Sequence, residues 1–281
     1  MVRGLGGGPD RGSRGVVAVD GKTVRRSKSK TDPPIYIVSA FAARQRLVLG
    51  QVKLAQRANE IVAIPKLLDM PDIEGAVVTI DAMGRQRDIA QKIQDKKADY
   101  IFALKGNQGT LRDDSELFAT EQKAPNFKDT TVTRHQTVNG DHHGRIETRN
   151  ITVIHDIGWL QERHQWPGKN ALVMVESTRE IGDKTERETR SHTTSLALAA
   201  IVIGAYVRDH WAVGNSLHWI LDCVFRDDER RVRTDHTPAN FTTIKQMALN
   251  LIRRAPGKDS MRLKRKLAAW DDAFLAGAIT R

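Results

Sequence analysis

The sequence predicts a mixed α/β fold (α/β, or α+β, in class) organised on a central sheet. Three observations carry the prediction. Two β-branched apolar runs, Val16–Asp20 and Val77–Asp81, each close on an aspartate followed by small residues. Amphipathic stretches with a period near 3.6 alternate with further short apolar runs. A long polar segment in mid-chain contains several alternating, strand-like runs.

The elements follow in order. Residues 1–15 are Gly/Arg-rich without apolar periodicity and are expected to be a disordered tail, with no room for a separate N-terminal DNA-binding domain before the strand at Val16. Runs at Ile35–Phe41 and Leu47–Leu54, joined by the polar turn Ala43–Arg46, complete an antiparallel meander with Val16–Asp20. Asn59 can cap a helix with Ile61, Ile64, Leu67 and Leu68 on one face. The Val77–Asp81 strand and its Ala82-Met83-Gly84 turn come next. An amphipathic helix over Arg87–Lys97 then leads to a buried strand at Tyr100–Leu104 that closes on Lys105-Gly106-Asn107-Gln108. Residues 111–127 read as helix and loop. Strand-like runs at Thr130–Gln136, Arg145–Ile154, Ala171–Ser177 and Thr185–Ser191 make a β-rich insertion that carries Trp159 and Trp166. Helix returns from Leu196 to Phe225. A last helix, Asn240–Arg254, has Ile244, Met247, Ala248, Leu251 and Ile252 as its inward stripe, and a basic tail follows. The expected divisions are therefore 1–15, 16–110, 111–195, 196–255 and 256–281.

Composition narrows the function classes. The 281 residues are 40% hydrophobic and 28% charged, as in globular proteins, and the net charge of +11 favours a polyanionic partner, nucleic acid above all. The single cysteine, Cys223, excludes an intramolecular disulfide and a cysteine-rich zinc site and fits a reducing cytosol. No apolar leader is visible. The longest apolar run, Leu196–Val207, is too short to span a bilayer, so a cytoplasmic location without a membrane partner is expected.

The candidate chemistry starts from Asp20 and Asp81. Carboxylates at neighbouring strand ends suit a hard divalent cation, Mg²⁺ or Mn²⁺; turn or capping aspartates are the alternative. Lys22, Arg25 and Arg26 follow the first acid and Lys105 follows the next buried strand, either to hold phosphates or as a solvated charge cluster. The segment His142–Arg149 reads as a turn entering a strand, with phosphate contact as the alternative. His210-Trp211 and His218-Trp219 recur eight residues apart. Helical spacing puts positions 211, 214, 218, 221 and 225 on one face, for packing or for DNA. Gly214 inside that helix costs about 0.5–1 kcal/mol relative to alanine.

Several ordered motifs resemble a known family. They are Asp20-Gly21-Lys22, Asn59-Glu60-Ile61 with Ile64-Pro65, Thr79-Ile80-Asp81-Ala82-Met83, Ala103-Leu104-Lys105-Gly106-Asn107-Gln108, Leu217-His218-Trp219-Ile220-Leu221-Asp222, Ala248-Leu249-Asn250-Leu251-Ile252 and Trp270-Asp271-Asp272. They look like those of bacterial insertion-sequence transposases of the ISAs type, the H-repeat-associated proteins, which are similar to the wider DDE transposases. The resemblance covers nearly the whole chain from Val16. It implies an RNase H-like core with a mixed central sheet (16–110 and 196–255), a β-rich insertion before the last catalytic helix, and two-metal cleavage and transfer of DNA strands. It implies catalytic, metal-holding roles for Asp20 and Asp81. DNA contacts would come from Lys22, Arg25, Lys105, Asn107, Arg145, His210, Trp211, Asn215 and His218. The implied partners are double-stranded DNA, as terminal inverted repeats and target, and a second copy of the chain in synapsis, in the bacterial cytoplasm at the nucleoid.

Two departures stand out. The family pattern His-Trp-x-Ile-Glu-Asn reads His210-Trp211-Ala212-Val213-Gly214-Asn215 here, so the third acid is replaced by a residue with no side chain. Asp209, Asp222, Asp227, Asp228 and Glu229 do not restore it by spacing, and the imidazoles of His210 and His218 are poor ligands for Mg²⁺. A Gly-rich stretch also stands where relatives carry a further N-terminal region, which suggests a decayed element copy. The expectation is a DDE transposase with impaired catalysis. The competing readings are a non-catalytic DNA-binding remnant or inhibitor of an active relative, and an unrelated metal-dependent nuclease. Related transposases stack an insertion aromatic on a flipped base, but ordinary packing is expected of Trp159 and Trp166.

Overall fold

The computed structural model describes residues 14–30, 32–54, 60–81, 87–104, 110–124, 126–128, 130–140 and 144–280. Residues 1–13 of the expected tail, the Asn59 cap, the Met83-Gly84 turn, Lys105, Asn107 and the His142-His143 pair lie outside the described residues. The strands are β1 (Val16–Thr23), β2 (Tyr36–Ala42), β3 (Leu47–Lys53), β4 (Val77–Ile80), β5 (Asp99–Leu104), β6 (Val132–Gly140), β7 (Arg145–Ile154), β8 (Ala171–Ile181) and β9 (Lys184–Thr194). The helices are α1 (Glu60–Asp69), α2 (Arg87–Asp95), α3 (Thr110–Lys123), α4 (Gly158–His164), α5 (Ala200–His210), α6 (Trp219–Cys223), α7 (Thr237–Arg254), α8 (Met261–Trp270) and α9 (Asp272–Ile279). The chain divides into two compact units, one of Met1–Val17 with Asp72–His210 and one of Ala18–Pro71 with Trp211–Arg281.

In the first unit the strand order is β4-β5-β9-β8-β7-β6. β4 and β5 are parallel, and every later neighbour is antiparallel. The parallel pair requires a crossover, and α2 supplies it, burying Ile89, Ala90 and Ile93 as its periodicity predicts. β8 and β9 are each eleven residues long and pair in one unbroken register, with Glu176 opposite Thr189 and Arg179 opposite Glu186. A core of Leu104, Leu111, Phe118, Ile154, Leu160 and Leu172 lies in this unit. Trp166 packs against it, and Trp159 meets Phe118 edge-on at 5.4 Å, so both insertion tryptophans take part in packing. Helix α5 comes close to β7: a Cβ at Gly204 would stand 3.1 Å from Ile151, so glycine permits that approach.

In the second unit the order is β3-β2-β1, with β2 and β3 antiparallel around Val38 and Val52. Ala18, Phe41, Val213, Leu217, Leu221 and Leu249 form its core. β1 does not stop at its aspartate. Burial ends at Val19, but the backbone stays extended to Thr23, so Asp20 lies within the strand. The long helix expected from Leu196 to Phe225 is interrupted. α5 ends at His210, a π-helical turn spans Val213–His218, and α6 follows.

Helix α7 packs through a face that the hydrophobic pattern chooses only in part, with Ile252 buried as expected. Its buried residues include Thr242, Lys245, Gln246, Leu249 and Ile252, while Ile244 and Met247 of the expected stripe are 58% and 59% exposed. The polar members have partners inside. Gln246 Nε2 donates to Ser39 Oγ at 3.2 Å, and Lys245 Nζ donates to the fully buried Asp227 at 2.9 Å, with Arg230 Nε 3.3 Å from the same carboxylate oxygen. Asn250 exchanges bonds with both backbone groups of Val48. Pairing of this kind offsets part of the desolvation cost of a polar core face, while Gln246 Oε1 and Asp227 Oδ2 stay buried without a hydrogen-bond partner. Helices α8 and α9 follow, separated at the extended Asp271, with Ser260 and Asp271 as their side-chain caps. Among the described residues no helix is long and apolar enough to cross a membrane.

Candidate functional site

The expected site residues fall in both units. Asp81, Arg145 and His210 belong to the first; Asp20, Lys22, Arg25, Trp211, Gly214, Asn215 and His218 belong to the second. Lys105 and Asn107 lie outside the described residues.

Asp81 follows β4, whose four residues are all buried, and is itself half-buried. The strand therefore fixes the backbone on which the carboxylate sits. Two residues earlier, the buried hydroxyl of Thr79 shares a 2.9 Å hydrogen bond with Nδ1 of His210. That bond ties the last residue of α5 to the strand that carries Asp81. Spacing identified His210, but its partner Thr79 has no sequence signal. Arg145 opens β7 with its guanidinium 3.5 Å from Glu147.

Asp20 has a defined orientation. Its Oδ1 accepts the backbone N–H of Gly21 at 2.9 Å, and its Oδ2 lies 3.6 Å from Nδ1 of His218. The imidazole is mostly buried, and its Nε2 is buried without a hydrogen-bond partner. Burial, with the nearby Lys22 charge second, pushes the His218 pKa down to about 4. The ring is therefore neutral at neutral pH.

Lys22 and Arg25 are not free cations. Lys22 Nζ is 2.6 Å from Asp222 and 3.7 Å from Asp228, and Arg25 lies 3.5 Å from Asp228. Lys22 is nearly buried while Arg25 is 78% exposed, so only Arg25 is open to solvent and to a phosphate. These pairs join residues two hundred positions apart, and no local pattern announces them.

Gly214 lies at the start of the π-helical turn, where its carbonyl accepts from Trp219 N–H. A π turn spends an additional residue per turn, so faces assigned at 3.6 residues per turn do not continue through it. Of the positions expected on one face, Trp211 is 39% exposed whereas Leu221 is fully buried. Arg253 of α7 supports the turn by donating to Ser216 O at 2.8 Å, and burial lowers its own pKa to about 10. Gly214 itself is exposed, as is Asn215. A Cβ built on it meets nothing within 4 Å, and its backbone is outside the left-handed region. Neither conformation nor crowding demands glycine there.

Among the described residues no group of three or more His, Cys, Asp and Glu side chains is placed to hold a metal ion. Around Asp20 the nearby carboxylates, Asp222 and Asp228, are directed to Lys22, and the side chain facing Asp20 is an imidazole.

Comparison with known proteins accords with this architecture. A family model described as "Transposase DDE domain" matches residues 11–251. "Putative protein YbfL" of Escherichia coli K12 is 37% identical over 275 residues, which is 94% of this chain and 71% of that protein. "H repeat-associated putative transposase YhhI" of the same strain is 36% identical over 275 residues, with the same coverage. "Putative transposase YncI" of Escherichia coli O157:H7 is 37% identical over 273 residues, 92% of this chain and 67% of its own. DDE transposase domains are RNase H-like, act on DNA and as a family use divalent metal ions. With the family model matched over most of its length and identities above a third to these relatives, the chain belongs to the DDE transposases, in the H repeat-associated group.

Proposed function

We propose that this chain is an insertion-sequence transposase that recognises the terminal inverted repeats of its element and is impaired in metal-dependent strand cleavage. The observation that carries the reading is Gly214. It occupies the place of the family's third acid, and the nearby carboxylates Asp222 and Asp228 are committed to Lys22. Asp20 and Asp81 are the retained catalytic acids and would hold Mg²⁺ or Mn²⁺ in an active relative. Residues 111–195 act as the β-rich insertion between the two parts of the core, and 256–281 close the C-terminal end. The net charge of +11 supports binding to duplex DNA, both element ends and target, with pairing of two copies at synapsis in the bacterial cytoplasm. Arg25, Lys105, Asn107, Arg145, His210, Trp211 and Asn215 are the proposed DNA contacts. Lys22 and His218 contribute through the arrangement around Asp20.

Binding without cleavage would also make the chain a competitor of an active relative at the same ends, and the same glycine favours that reading. One experiment separates the outcomes. Purified protein is given end-containing DNA with Mn²⁺, and band shifts and nicking are measured across a salt series. Salt-sensitive binding with little nicking, raised by Gly214→Glu, supports impairment. Robust cleavage by the parent chain that disappears in Asp81→Ala refutes it. Binding with no cleavage in either chain leaves the competitor role in its place.

A further inference from the structure

Strand β6 stands at the end of its sheet, with β7 as its one neighbour among the described residues. Its nine residues pair with β7 in one unbroken register, from Val132 opposite Ile154 to Gly140 opposite Ile146. His155 N–H donates to Thr131 O at 3.0 Å and continues that ladder by one pair. Bonded and non-bonded pairs alternate along an antiparallel ladder, so the odd-numbered residues of β6 bond to β7. Val132, Arg134, Gln136, Val138 and Gly140 therefore turn their N–H and C=O groups outward, and among the described residues no backbone group bonds to them. Open edges are commonly blunted by proline, lysine or a bulge, and β6 has none of these. Its one charged side chain, Arg134, is drawn aside: Nη2 donates to Asn126 Oδ1 at 2.9 Å, and the guanidinium lies 4.8 Å from the centre of the Phe127 ring. In the second unit, by contrast, Asn250 occupies both backbone groups of Val48 on the edge strand β3.

A row of alternating donors and acceptors is matched by another extended backbone, not by a phosphate chain, which only accepts. The edge also suits its own copy. Antiparallel pairing about a two-fold axis at Gln136 would set Val132 opposite Gly140, Thr133 opposite Asn139, Arg134 opposite Val138 and His135 opposite Thr137. All nine residues overlap, outward groups meet outward groups, and no charge faces a like charge. Moving the axis to Arg134 would set that charge against itself. We propose that β6 is the docking edge for a second copy of this chain, the two strands pairing antiparallel about Gln136. The inference gives a surface to the pairing of copies in the proposed function, and it rests on that reading only for its role at synapsis.

The test uses the full chain in a Cys223→Ser background, without DNA or metal, and follows association by sedimentation across a protein concentration series. A concentration-dependent dimer is expected. Gln136→Pro removes an outward N–H and spares the bonds to β7, and should weaken the dimer by about tenfold or more. Val138→Glu would meet the partner's Arg134 twice in each dimer and should tighten it by about threefold or more, while Val138→Arg should loosen it to a similar degree. That opposed pair keeps the test open if Gln136→Pro does not fold. Under oxidation Gln136→Cys should cross-link two copies, because bonded antiparallel partners lie about 5.5 Å apart at Cα, and Asn139→Cys should not. A chain that stays monomeric, a dimer indifferent to Gln136→Pro, Val138 variants that shift it in the same direction, or equal cross-linking at 136 and 139 overturns the proposal. A monomer that still binds the element ends removes this edge and leaves the transposase reading standing; a dimer through β6 with no affinity for those ends does the reverse.

Discussion

Asp227 offers the sharpest test of how the second unit is held together. Its carboxylate is fully buried and faces two cations, Lys245 Nζ at 2.9 Å and Arg230 Nε at 3.3 Å, both on side chains at least nine-tenths buried. At an effective dielectric of about 20, those distances correspond to roughly 6 and 5 kcal/mol of gross attraction, before desolvation of all three groups is subtracted. Asp227→Ala removes the anion and leaves two buried cations facing each other, for which about 3–5 kcal/mol of stability should be lost. The deficit should also depend on pH. Burial already lowers the pKa of Lys245, and Asp227 is the group that opposes the shift. Without Asp227 the amine titrates lower still. A base whose folded pKa lies below its unfolded value gains stability as pH rises between the two, so the deficit should shrink in alkali. Urea unfolding followed by circular dichroism at neutral and alkaline pH measures both effects. A variant within about 1 kcal/mol of the parent at neutral pH, or a deficit that widens in alkali, would show that the cluster is not an interdependent buried unit.

Two further perturbations concern the π-helical turn. In metal-free protein the His218 ring should titrate near pH 4 rather than 6.5, as nuclear magnetic resonance would report. The associated stability is complete above pH 6.5 and is lost as pH falls towards 4, about 3 kcal/mol in all. His218→Gln should abolish that component, and parallel pH–stability curves for parent and variant would contradict it. Gly214→Ala should stabilise the chain by about 0.5–1 kcal/mol, because the site is open and the backbone needs no left-handed conformation. A loss of thermal stability in that variant would mean that the turn itself requires glycine.

Much of the fold was legible because its strands and helices follow simple apolar periods. Ile89, Ala90 and Ile93 of α2 and the buried run Val77–Ile80 are where alternation and helical spacing put them. Helix α7 misled for a physical reason. Lys245 and Gln246 look like a solvated face, but Asp227 and Ser39 receive them inside, and the greasier Ile244 and Met247 are left outside. Sequence spacing carries no information about such partners. The same holds at the site. Asp20, Asp81 and the departure at Gly214 can be read in one dimension, whereas the capture of Lys22 by Asp222 joins residues far apart in the chain. The π turn was hidden as well, since a helical wheel assumes the period that the turn breaks.

The long β8–β9 hairpin writes its own alignment. As folded, Arg179 stands opposite Glu186, and Glu176 faces the neutral Thr189. Sliding the strands by one residue in one direction would set Arg179 against Arg187 and Glu180 against Glu186. Sliding the other way would set Glu176 against Glu188. Like charges directly across a strand pair are unfavourable, and every such slip also turns the inner side chains outward. The outer half of the arm has little buried surface to fix its alignment, so the order of its charges serves as an error-correcting code: a one-step slip gives up Arg179 against Glu186 and brings like charges together, which the new pairs of Glu176 with Arg190 or Glu180 with Lys184 offset only in part. A neutralised hairpin with Glu176, Arg179, Glu180, Glu186, Arg187 and Glu188 all changed to threonine would keep the strand preference and lose the code.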